Sequence, residues 1–179
     1  MTHTLNFTTR QALAAAGLLF ATSLLHAAAL PEALKAAASQ QQTLELQATG
    51  VQIYECKAIK DAVPARFEWA FKAPEAELFD AKGRSVGKHY AGPSWEFQDG
   101  SKVVGEVRAR DAGPDPKAIP WLLLSAKSNS GSGVFAKTAA IQRIDTVAGQ
   151  APAEGCSAET LGREARISYR AAYRFFETP

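Results

Sequence analysis

His89 is the residue in this chain best suited to chemistry. Its imidazole is the one side-chain type whose unperturbed pKa places proton transfer near neutral pH. The sequence holds three histidines, but His3 and His26 fall in its first 29 residues, so His89 stands alone in the rest. A catalytic role needs a serine hydroxyl to activate or a carboxylate to orient the ring, and neither has to be near in sequence. The opposing reading is a strand histidine whose ring is bonded to backbone. One imidazole supplies no His-rich zinc set, so no metal is expected.

The other reactive groupings read more simply as structure. Glu96 and Asp99 invite a paired-carboxylate, glycosidase-like reading. Asp99, however, directly precedes Gly100 as a turn residue would, and Glu96 is placed to face Lys102 across a hairpin. Gly131-Ser132-Gly133-Val134-Phe135-Ala136 fits G-x-G-x-x-A. A dinucleotide site would also need a helix after that string and βαβ surroundings. The residues that follow, Thr138–Thr146, read as extended instead, so we expect a flexible Gly- and Ser-rich hairpin loop and no cofactor. Cys56 and Cys156 are an even pair without a Cys-x-x-Cys, which points to a disulfide in an oxidising compartment. The large rings, among them Trp69, Trp95, Trp121, Tyr54 and Tyr90, could line a ligand groove. Trp69 and Trp95 lie on apolar strand faces and are expected in the core. Tyr90, just before Ala91-Gly92-Pro93, is the best candidate for a partly exposed ring.

These residues must be positioned by strands. Leu30–Ala38 reads as a short helix with Pro31 near its start. From Leu44 the period becomes two: Leu44 and Leu46 alternate with polar neighbours, as do Val51, Ile53 and Glu55 with Gln52, Tyr54 and Cys56. Phe67, Trp69 and Phe71 repeat the pattern. Further candidates are Glu77–Phe79, Ser85–Ala91, Ser94–Phe97, Lys102–Arg110, Trp121–Lys127, Ala140–Val147 and Arg166–Phe176. Turn signals at Asp80–Gly83, Gly92-Pro93, Asp99-Gly100 and Asp111–Pro120 separate them. Many short strands so punctuated predict an all-β single domain, an antiparallel sandwich or barrel. One hairpin is specified in detail. A Gln98-Asp99-Gly100 loop with Gly100 left-handed sets Trp95 opposite Val103 and Glu96 opposite Lys102, giving one apolar and one polar face.

The first 29 residues read as an address. Arg10 precedes an uncharged apolar run, Ala12–Leu25, that is too short to span a bilayer as a helix. Ala27-Ala28-Ala29 then offers a cleavage site, so residues 1–29 are expected to be a signal peptide and residues 30–179 the exported domain, periplasmic or secreted. That mature chain of about 150 residues suits one core. It has no transmembrane segment in this reading. With 20 Lys+Arg against 18 Asp+Glu, the sequence carries no basic footprint for nucleic acid.

Several strings then point to a family. They are Gly50–Cys56 (GVQIYEC), Gly87–Glu96 (GKHYAGPSWE) with Asp99-Gly100-Ser101, and Ile119–Leu124 (IPWLLL). Ile141–Thr146 (IQRIDT), Gly155-Cys156 and Tyr169–Phe176 (YRAAYRFF) complete them. Together they resemble a family of exported bacterial and fungal proteins, domain of unknown function 3455, over Leu30–Phe176. The resemblance implies a shared fold and export and transfers no catalytic residue. Some relatives carry a malate dehydrogenase label, which the Gly131–Ala136 loop does not support.

The sequence therefore reads as an exported, disulfide-bonded β-domain: a non-catalytic module for an unknown small-molecule or envelope ligand. The alternative is a small hydrolase-like enzyme using His89 with a nearby carboxylate or hydroxyl. The candidate ligand site is Lys88, His89, Tyr90, Trp95 and Glu96, with Cys56 and Cys156 as the disulfide.

Overall fold

The computed structural model describes residues 29–179, so the expected signal segment lies outside the described residues except for Ala29. Period-two patterning produces strands here because each strand has one face that can be buried. The strands are β1 (Gln41–Ala58), β2 (Phe67–Phe79), β3 (Ser85–Tyr90), β4 (Ser94–Phe97), β5 (Lys102–Asp111), β6 (Trp121–Ser130), β7 (Thr138–Ala148) and β8 (Glu164–Glu177). Each pairs antiparallel with the next, and β8 returns to β1 from Gln41↔Glu177 to Glu55↔Glu164. The result is a closed eight-stranded up-and-down barrel. Of the two architectures the sequence leaves open, the barrel forms. Candidates read as separate strands fuse, Leu44–Leu46 with Val51–Glu55 in β1 and Phe67–Phe71 with Glu77–Phe79 in β2.

The barrel is filled by side chains over its lower half. Leu46, Leu78, Trp95, Val103, Ile141 and Phe175 are all essentially buried. Room for the Trp95 indole comes from Gly105, where a Cβ would lie 2.9 Å from Trp95 Cζ3. The β4–β5 hairpin forms as expected, with Trp95↔Val103 and Glu96↔Lys102 in register. Its turn has Gly100 at φ 81°, and the Phe97 N–H donates to Ser101 O at 2.9 Å.

The Gly131–Ala136 string lies between β6 and β7 and closes the lower end of the barrel. Phe135 is fully buried, 4.6 Å from the Phe175 ring and 5.8 Å from the Phe97 ring, centroid to centroid. Asp99 fastens this plug. Its Oδ1 accepts from the Ser101 N–H and its Oδ2 from the Val134 N–H, both at 2.8 Å. Asp99 is thus the turn residue the sequence suggests and also a clamp between two loops.

Two expectations are corrected. The short helix over Leu30–Ala38 is only a single 3-10 turn, Glu32–Leu34. Leu34 is buried against Trp121, Ile144 and Ala172 in a small second cluster. Its carbonyl accepts from Gln142 Nε2 at 2.7 Å, and Lys35 is already extended. So short an isolated helix is marginal in water, and here the strap gains more by docking on the barrel wall. Trp69 is not in the core: it is half-buried, and its indole N–H donates to Glu154 O at 2.8 Å. Tyr90 is partly exposed, as expected.

Cys56, near the end of β1, is bonded to Cys156 in the β7–β8 loop, with Cα atoms 5.3 Å apart. Among the described residues no helix is long and apolar enough to cross a membrane.

Candidate functional site

A window in the barrel wall arises from unequal strand lengths. β3 meets β2 only over Ala76–Phe79, and β4 meets β5 only from Ser94 to Glu96. Above that level the upper parts of β2 and β5 have no strand between them. The Ala91-Gly92-Pro93 turn forms the sill of the opening, tied down where the Gly105 N–H donates to Pro93 O at 2.9 Å. Gly92 is required at the sill: its φ is 137°, and a Cβ there would overlap Ser94 Oγ.

Behind the sill is a recess of about 450 Å³, bounded by the upper strands and the β5–β6 loop. Gln52 and Tyr54 face it from β1, Phe71 and Lys72 from β2, and His89 from β3. Val107 and Arg110 of β5, Leu122 of β6 and Arg143 of β7 close the far side.

The five residues singled out in the sequence divide between the two faces of the β3–β4 hairpin. His89 and Trp95 point inward, buried, and their rings stack at 4.5 Å. Lys88, Tyr90 and Glu96 lie on the outer face, where the Tyr90 hydroxyl donates to Glu96 Oε2 at 2.6 Å. Lys102 Nζ sits 5.3 Å from the Tyr90 ring centroid. Of these five, His89 alone contributes to the recess behind the window.

His89 Nδ1 lies 2.8 Å from Ser94 O. A carbonyl can only accept, so Nδ1 carries the proton and the neutral ring presents Nε2 as an acceptor. Burial pushes the His89 pKa down to about 3, with Arg143 adding to the effect and the Ser94 bond opposing it. Among the described residues no side-chain carboxylate or hydroxyl bonds this ring; its partner is backbone.

Arg143 organises the electrostatics. Its Nε and Nη2 donate to Pro120 O at 3.1 and 2.8 Å, which fixes the guanidinium plane. Around it are phenols, not carboxylates. Burial raises the pKa values of Tyr54, Tyr169 and Tyr173, with Arg143 only partly offsetting that, so all three remain neutral. The Tyr54 hydroxyl donates to Gly149 O at 2.7 Å. Gln52 is 2 % exposed, and its Nε2 has no hydrogen-bond partner. Its polar neighbour is the Tyr169 hydroxyl, which it approaches without reaching hydrogen-bond geometry.

Gln52, Lys72, Arg110 and Arg143 are polar recess residues that the sequence does not single out. A signal existed for Arg143, which shares strand parity with buried Ile141 and so falls on an inward face. Gln52 shares parity with Leu46 and Ala48 in the same way.

A family model described as "Protein of unknown function (DUF3455)" matches residues 37–177. The chain belongs to this family. The match covers all eight strands, so the window, the sill and the recess are parts of the family domain. No curated protein and no solved structure matches the chain. Among the described residues, no group of three or more His, Cys, Asp or Glu gathers as a metal site would require.

Proposed function

We propose that this barrel is a non-catalytic module that takes a small molecule through its side window. The observation that carries the reading is the recess behind the sill. Its volume of about 450 Å³ falls in the ordinary range for ligand pockets, and its walls mix aromatic and aliphatic surface with a few convergent polar groups. Eight-stranded barrels are wide enough to hold one small ligand when side chains do not fill them. Here Phe135 and Trp95 fill the lower half, and the upper half is left for a guest.

The state of His89 favours binding over chemistry. Its proton is committed to a backbone carbonyl, and burial makes it a weak base. A hydrolase-like use of His89 would need a carboxylate or hydroxyl to orient or activate, and its bonded partner is the Ser94 main chain. Export completes the proposal. The leader pattern in residues 1–29 and the Cys56–Cys156 bridge both suit a periplasmic or secreted protein.

A thermal-shift screen of mature protein across chemically distinct small molecules tests this reading. Binding is expected to stabilise the fold by about 2.7 kcal/mol at a hundredfold excess over Kd, with the compound recovered unchanged. Conversion of a stabilising compound to product, abolished in His89→Ala, would overturn it in favour of an enzyme.

A further inference from the structure

We propose that the recess selects an organic carboxylate, its head group held by Arg143 and Gln52 Nε2 and its apolar body lying along Phe71, Val107 and Leu122. This rests on the ligand-binding reading above and goes further by naming the ligand's chemistry.

The charge inventory of the recess is one-sided. Lys72, Arg110 and Arg143 line it, and no Asp or Glu does. Lys72 is already engaged by Glu164 at 2.6 Å and Glu55 at 3.7 Å. Arg110 and Arg143 make no ion pair within 4.0 Å among the described residues. The groups around Arg143 cannot neutralise it, because the phenols and His89 are all uncharged. A partly buried cation without a counter-charge is unfavourable until an anion arrives. Guanidinium is also the side chain best shaped for a carboxylate, through parallel N–H donors. Pro120 O takes Nε and one bond of Nη2, and the neutral Tyr173 hydroxyl is the other group the guanidinium approaches, a weaker acceptor than a carboxylate for the remaining N–H donors.

Gln52 supplies an independent pointer. A buried amide donor with no partner costs stability, and such groups are rare in folded proteins. This one lines the same recess as Arg143. A carboxylate oxygen would satisfy it. The rest of the ligand is apolar by the same logic: Val107 and Leu122 form one wall, and Phe71, 55 % exposed at the rim, offers a ring edge-on to Tyr54 at 5.8 Å.

The test is calorimetric titration of mature protein with octanoate and trans-cinnamate, their matched primary amides, and inorganic phosphate. Both carboxylates are expected to bind, the amides at least tenfold more weakly, and phosphate not at all. Arg143→Gln is expected to reduce carboxylate affinity at least tenfold without weakening the amides. Should that variant fail to fold, Gln52→Leu serves instead, with a several-fold loss of carboxylate affinity and an unfolding temperature no lower than wild type. Amides that bind as tightly as their acids would overturn the carboxylate assignment and leave the ligand-binding reading standing. Phosphate binding equal to carboxylate binding would also overturn it, in favour of an inorganic-anion site. No binding by any probe would overturn the carboxylate assignment, and an equally silent thermal-shift screen would overturn the ligand-binding reading as well.

Discussion

Replacing Cys56 and Cys156 together by alanine is expected to destabilise the barrel by several kcal/mol. The two residues are 100 positions apart. On the chain-entropy account a closure of that length restricts the unfolded state by about 4.7 kcal/mol, and native disulfides of small exported domains are commonly worth 2–5 kcal/mol. The bridge also has a local task. It joins the top of β1 to the β7–β8 loop, and the Gly149 carbonyl that opens this loop accepts the Tyr54 hydroxyl beside the recess. The double variant should therefore lose ligand affinity as well as stability. Urea unfolding with and without reductant measures the first effect. Unfolding midpoints that coincide for oxidised, reduced and double-variant protein would refute it. Intact mass of the oxidised protein expressed from the full sequence tests the leader reading: a chain beginning at Leu30 is the expected result, and a retained Met1 would refute processing at Ala29.

Acidification is expected to remove about 2 kcal/mol of stability between pH 7.5 and pH 5, and His89 is the cause. Its folded pKa is pushed down to about 3 against an ordinary 6.5, chiefly because burial disfavours the charged ring. Between those values the unfolded chain binds a proton that the folded chain refuses. The stabilisation is therefore complete above pH 6.5 and is lost progressively as pH falls toward 3. The surroundings reinforce the direction. Trp95 stacks on the ring, Tyr173 lies 4.9 Å away, and the Arg143 charge opposes protonation. The carboxylates with lowered pKa values, Asp80, Asp99 and Glu164, act at lower pH, since their ordinary values are 3.8, 3.8 and 4.5. Chemical denaturation at the two pH values, on wild type and His89→Asn, separates the contributions. The variant's baseline stability is immaterial, because the comparison is of slopes. A slope unchanged by His89→Asn would show that this histidine is not buried in its neutral form.

Local rules carried far in this chain. The β4–β5 hairpin was legible because Asp99-Gly100 dictates a left-handed turn and only one register keeps Trp95 and Val103 on the same face. Barrel closure was not, because it depends on β1 meeting β8 across most of the domain, and no local period encodes that partner. The inward face of upper β1 runs against the hydrophobic pattern. Val51 and Ile53 look like the buried set, yet the parity of Leu46 and Ala48 continues through Gln52 and Tyr54, which face the interior. Where a barrel is solid, the inward face is apolar and alternation finds it. Where it opens into a recess, the inward face turns polar and the hydrophobic pattern points the wrong way. Arg143 was hidden likewise, as an inward cation on a strand that otherwise reads as core. His89 and Trp95 were accessible by residue type. Their neighbours Lys88, Tyr90 and Glu96 lie on the outer face, as strand alternation requires, so the five residues do not form one surface.

The central claim is that the recess behind the Ala91–Pro93 sill is the binding site, and site-resolved NMR during an octanoate titration of labelled mature protein tests it most directly. The predicted result is that the largest shifts fall on the Gln52 side-chain amide, the His89 ring and Arg143 Nε, with the Phe135 plug unmoved. Shifts concentrated on Lys88, Tyr90 and Glu96 at the outer face, or none at saturating octanoate, would contradict it.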